Sequence, residues 1–76
     1  MAKHKGEIEI GYRMVEELHR LFGRKTDIIL RFGIAREMLY AWASGVTPGG
    51  YVLAKLHYCG GDVIYVLTGK RSGCDG

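Results

Sequence analysis

An all-α domain is the fold class this sequence predicts, on two observations. Apolar residues recur at three- and four-residue steps, the spacing that lines one face of a helix. Glycines at 23, 33, 45, 60–61 and 69 then cut the chain into short pieces of helical length. The 76 residues make a single domain, 1–76, small enough that its core needs tight helix packing or a partner chain. Order is expected over about 7–69, with flexible ends at 1–6 and 70–76.

The first piece, 7–22, sets Ile8, Tyr12, Val15, Leu18 and Phe22 on one face, with Arg13, Glu16, Glu17 and Arg20 opposite. Gly23 is its natural stop. A second, shorter piece, "KTDIILRF", ends at Gly33, and a third, "AREMLYAWAS", at Gly45. Thr47 and Pro48 then offer an N-cap and a proline at the first helical position, so a fourth helix should run to about Cys59. Gly60 and Gly61 break it, Asp62 caps "VIYVLT", and Gly69 closes that piece. On this pattern the last third has a rival. "YVLAKLHY" and "DVIYVL" around a Gly-Gly pair also read as a β-hairpin, and Val63, Ile64, Tyr65 and Val66 favour strands.

The stretch "FGIAREMLYAW", 32–42, carries the functional signal. Two short helices joined by a tight glycine turn make a helix-turn-helix when the glycine turns left-handed, the next residue plugs the core, and the second helix buries one stripe. Gly33 and Ile34 suit the first two conditions. Leu39 and Trp42 supply the stripe, facing Ile28 and Phe32, which leaves Arg36, Glu37, Tyr40 and Ala41 outward. An arginine there can reach guanine edges bidentately, and a carboxylate can accept from cytosine. Helix–glycine–helix corners are also common in all-α domains, where an exposed Arg-Glu pair is ordinary solvated surface.

A longer span tips the balance. Residues 7–71 resemble the N-terminal DNA-binding domain of temperate-phage CI-type repressors, within the lambda-repressor-like helix-turn-helix class. "LAKLHYCGGDVIYVLTGKR" carries the likeness best, through Leu53, Leu56, Gly60, Asp62, Tyr65, Leu67, Thr68 and Gly69. "FGIA" with Leu39 and Trp42 matches the family's turn and recognition helix. The resemblance implies a five-helix lambda-repressor-like helix-turn-helix domain, two helices rather than a hairpin in the last third, and operator binding as a dimer. The expected core is then Val15, Leu18, Phe22, Ile28, Phe32, Ile34, Leu39, Trp42, Leu53, Leu56 and Leu67. Three departures stand out. Ile29 occupies a place where the family usually has alanine, which asks for looser packing or a shifted register. Arg24 and Ala35 stand where serine or threonine usually caps the two motif helices. Glu37 replaces a neutral hydrogen-bonding side chain.

Carried over by position, the base-contacting places fall on Arg36, Glu37 and Ala41, with Tyr40 beside them. Lys25 would meet a phosphate, with Arg24, Arg31, Lys70 and Arg71 as further phosphate candidates. The implied partners are double-stranded DNA with a pseudo-palindromic operator and a second copy in a homodimer. The fifth helix, through Val63, Tyr65 and Val66, is the expected seam. The full-length family members carry a second domain, so the chain reads as a fragment or as a small stand-alone regulator of the Cro or excision-control kind. The alternative is a helical protein-binding adaptor or antirepressor that does not touch DNA.

Other chemistry is thin. His19, His57 and Cys59 lack a recognised metal spacing, and "TGKRS" lacks the first glycine of a phosphate loop because Ile64 stands there. No acid pair or activated nucleophile is evident, so neither enzyme activity nor a cofactor nor a metal is expected. The net charge of +3 and pI near 9.0 lean toward anionic partners. Cys59 and Cys74 form no disulfide framework, and "MAKHKGEIE" lacks the apolar stretch of a signal peptide, so a cytoplasmic setting with reduced thiols is expected.

Overall fold

The computed structural model describes residues 5–71, with side chains placed from residue 9. The chain forms α1 (Lys5–Phe22), α2 (Lys25–Asp27) passing directly into a π-helical segment (Ile28–Gly33), α3 (Arg36–Ala43), α4 (Gly50–Tyr58) and α5 (Val63–Thr68). Taking 25–33 as one helix gives five, with no strand among the described residues, so both halves of the possible hairpin are helical. Gly23, Gly33, Gly45, Gly60 and Gly69 all have positive φ, which is why the pieces end where the glycines stand. The expected flexible ends fall largely outside the described residues. Of those within, Lys5 and Gly6 open α1, and Arg71 is anchored as set out below.

The core draws Met14 and Leu18 from α1, Ile28 and Phe32 from the π segment, and Ile34 from the turn. Leu39 and Trp42 of α3, Val52 and Leu56 of α4, and Val66 of α5 complete it. Met14, Leu18, Ile28, Phe32 and Leu56 are fully enclosed, each worth about 1.5–3 kcal/mol against exposure. Val15, Phe22 and Leu53 pack partly buried at the margin, and the Phe22 and Phe32 rings meet at 5.9 Å. Leu67 departs from the expected core: it is exposed, because Val66 takes the inward position and the next residue lies about 100° further round the helix.

The buried face of α1 is also rotated from the expected one. Tyr12 is exposed, while Gly11, Met14, Glu17 and Leu18 are buried; Ile8 lies outside the described side chains. The reason is a backbone approach. A Cβ on Gly11 would stand 2.5 Å from the Val46 carbonyl oxygen and 2.6 Å from that of Trp42. The helix therefore turns its glycine, and not its largest aromatic, toward the end of α3.

Glu17, expected on the solvent face, is enclosed completely. Its carboxylate accepts from Arg20 Nε at 3.0 Å and Arg20 Nη2 at 2.5 Å, from Arg71 Nη1 at 2.6 Å and from the Asp62 backbone N–H at 2.8 Å. Burial pushes this carboxyl up, but hydrogen bonds from Arg20, Arg71 and Asp62 outweigh it and bring the pKa to about 2. Arg13 adds a second tie from α1, donating to the Val66 carbonyl at 2.9 Å and the Leu67 carbonyl at 3.3 Å. These bonds hold α5 on α1 and leave no buried side-chain polar atom without a partner among the described residues.

Three local expectations meet different outcomes. Thr47 and Pro48 do not start α4; Gly49 occupies the N-cap and the helix begins at Gly50. Pro48 is buried in the α3–α4 loop instead, so it fills space below the loop rather than opening the next helix. Asp62 does cap α5, accepting from the Tyr65 N–H at 3.0 Å. At Ile29, where looser packing or a shifted register was expected, the helix is π-helical from Ile28 to Gly33, and Ile29 is half-buried while Ile28 and Phe32 stay inside.

Candidate nucleic-acid interface

The turn between the π segment and α3 is built from three residues with distinct backbone needs. Gly33 takes φ +80°, a conformation costing a side-chain-bearing residue about 1–2 kcal/mol. Ile34 is extended, at φ −122° and ψ 160°, and its side chain is buried. Ala35 is extended as well, and its carbonyl accepts from the Met38 and Leu39 N–H groups to start α3. Neither Arg24 nor Ala35 supplies a side-chain cap, as their residue types require.

With Leu39 and Trp42 facing inward, α3 presents Arg36, Glu37 and Tyr40 to solvent. Ala41 is only partly exposed, and its carbonyl accepts from Ser44 Oγ at 2.9 Å and the Val46 N–H at 2.9 Å. Met38, not singled out from the sequence, is exposed on the same helix. Lys25 reaches across from α2. Its Nζ donates to the Tyr40 hydroxyl at 2.9 Å and stands 4.8 Å from the ring centroid. That hydrogen bond, with the Lys25 charge and then the Arg36 charge, holds the Tyr40 phenol below its usual range. Lys25 and Tyr40 therefore act as one polar unit bridging α2 and α3.

The remaining sequence-predicted cations divide. Arg24 is exposed at the N-cap of α2, beside Lys25. Arg31 is exposed, with its guanidinium 5.6 Å from the Phe22 ring centroid. Lys70 is exposed after α5. Arg71 is paired with Glu17 and stacks 3.9 Å over the Tyr65 ring, so its charge is engaged within the domain. One cation was missed. Lys55 of α4 donates to the Gly33 carbonyl at 3.4 Å and stands 5.2 Å from the Phe32 ring, beside the turn itself. Its place on the inner half of an otherwise apolar helix gave no sign of this in the sequence.

The residues expected at a seam on α5 are mostly turned inward. Val66 is fully buried, Val63 packs against the core, and Tyr65 is half-buried with its hydroxyl donating to Glu16 at 2.5 Å. The exposed apolar side chains of that helix are Ile64 and Leu67. No group of three or more potential metal ligands occurs among the described residues, and no described helix is long and apolar enough to cross a membrane. No family model, curated protein or solved structure matches this chain.

Proposed function

We propose that this domain binds double-stranded DNA sequence-specifically through a lambda-repressor-like helix-turn-helix and acts as a transcriptional regulator of the phage-repressor kind. The observation that carries the reading is the Gly33–Ile34 turn. It sets the outward face of α3, with Arg36, Glu37 and Tyr40, beside Lys25 of the preceding helix. A basic anchor next to an exposed polar helix face is the arrangement that lets phosphate contacts position a helix while its side chains read base edges. Arg36 is the reading residue and Glu37 its partner toward cytosine. Lys25 and Arg24 hold the phosphate backbone, with Arg31 and Lys70 as outer cations.

Size argues for two copies on the operator. Eight residues of α3 span about 12 Å, the length of only three to four base pairs. Useful affinity then needs two half-sites about one helical turn apart.

Titrations on a duplex selected from a random pool test the reading. Arg36→Ala should cost about 1–3 kcal/mol on the preferred duplex and relax preference at one position. Lys25→Ala should weaken binding to all sequences alike and lower the salt slope by about one. Absence of any DNA binding at low salt would leave the protein-binding adaptor as the reading to pursue.

A further inference from the structure

The Gly33 turn is held from outside the two helices it joins. Lys55 stands in α4 next to Leu56 and one turn on from Val52, both of which lie in the core. Its own side chain is half-buried beside the fully enclosed Phe32, with Nζ 5.2 Å from the ring centroid. From there the ammonium donates to the Gly33 carbonyl at 3.4 Å. No carboxylate lies within ion-pair distance of Lys55 among the described residues. A Cβ added to Gly33 would stand 3.1 Å from the same nitrogen, so the glycine leaves room for the ammonium as well as for its own positive φ.

The order of the helices gives this contact its place. The π segment and α3 run close to α1, whereas α4 runs close to α5. The Lys55–Gly33 bond crosses between these two groups and ends on the residue that aims α3. Two residues further on, the Ala35 carbonyl accepts the first N–H bonds of that helix. Gly33 is also the last residue of the π segment, where carbonyls lack helical N–H partners and the helix dipole is negative. A cation is stabilising there. Arg31, in the same last turn, has its guanidinium against the Phe22 ring, so the cation at the Gly33 carbonyl comes from α4.

We infer that Lys55 is a positioning residue: it ties the Gly33 turn to α4, thereby fixes the pitch of α3, and does not serve as a phosphate contact. The tie stands on the geometry alone, while its use in reading bases rests on the function proposed above. Its setting separates Lys55 from Lys25 and Arg24. Those are exposed cations at the start of α2, where the dipole of the helix adds to their attraction for phosphate. Lys55 sits at the opposite, negative end of the same helical stretch, where the carbonyls that it neutralises would repel a phosphate.

Two variants of the whole chain test this, both checked for helix content by circular dichroism. Lys55→Met keeps an apolar stem beside Phe32 and removes the charge; Lys55→Arg restores a cation. In Lys55→Met the nuclear magnetic resonance shifts of the Gly33 carbonyl carbon and the Ile34 amide nitrogen should move. The Met38 and Leu39 amides, bonded to the Ala35 carbonyl, should exchange with solvent about two- to fivefold faster, the scale of one cation at a helix end. Preference for a selected duplex over a scrambled one should fall by a similar factor, with the salt slope unchanged. Lys55→Arg should recover both the slow exchange and the preference. A salt slope lower by about one in Lys55→Met would make Lys55 a phosphate contact and overturn the inference. So would shifts and exchange that stay as in wild type, or a loosened turn with sequence preference intact. A wild-type chain that binds no DNA overturns the helix-turn-helix reading alone, and the shifts and exchange rates still decide the tie.

Discussion

Replacing Glu17 by glutamine keeps the shape of the side chain and removes the charge that two arginines and a backbone N–H converge on. The magnitude follows from the folded carboxyl pKa of about 2 against 4.5 for the ordinary side chain. A difference of 2.5 units at 1.36 kcal/mol per unit makes the ionised carboxylate worth about 3 kcal/mol at pH 7. A domain of 76 residues has roughly 4–11 kcal/mol in total, so the loss is a large share. Because the folded pKa is depressed, the contribution is complete above about pH 4.5 and declines as pH falls toward 2. The gap between wild type and Glu17→Gln should therefore shrink from about 3 kcal/mol at pH 7 to roughly half of that at pH 3. Urea unfolding followed by far-ultraviolet circular dichroism at pH 7, 5, 4 and 3 measures it. On the thermal scale the pH 7 gap is about 20 °C for a chain of this length. A gap that is the same at pH 3 and pH 7 would refute the reasoning, because a cost of packing alone does not titrate.

Three further outcomes are expected. Gly11→Ala forces a methyl group against two backbone carbonyls that cannot yield like a side chain, and should cost about 1–3 kcal/mol in thermal or urea unfolding. Gly50→Ala meets nothing within 4 Å at the exposed start of α4, and should raise stability by about 0.4–1 kcal/mol in the same assay. The Tyr40 phenol should ionise below the usual tyrosine pH, seen as an absorbance step near 295 nm that Tyr40→Phe removes. As pH rises through that step the new phenolate adds negative charge to the α3 face. DNA binding should then fall in wild type and hold in Tyr40→Phe.

Much of the fold was legible because glycine punctuation is a backbone property that neighbouring residues cannot override. Gly23, Gly33, Gly45 and Gly69 each end a helical piece, and Asp62 caps the one it precedes. What the sequence concealed was the rotation of α1. Hydropathy set Tyr12 on the apolar face and Glu17 on the opposite one, yet the packing line is set by Gly11, whose merit is the absence of a side chain. Glu17 then becomes tolerable inside only because Arg71, fifty-four residues later, and the Asp62 amide close on it. Periodicity cannot register a partner that far away. In the candidate interface, Arg36, Glu37 and Tyr40 are exposed as periodicity places them. The Lys25–Tyr40 bond and the approach of Lys55 to the turn depend on how separate helices cross, which no local pattern encodes.

The meeting of Gly11 with the carbonyls of Trp42 and Val46 has a consequence for what the domain can become. The seat of α3 rests on main-chain atoms and on two inward side chains, Leu39 and Trp42. None of those supports belongs to its outward face. Positions 36 and 37 can thus be rewritten together while the pitch of the helix stays the same, whereas position 40 also carries the Lys25 tie to α2. A library varied at positions 36 and 37 alone changes the chemistry of the exposed face while leaving the contacts that seat the helix in place.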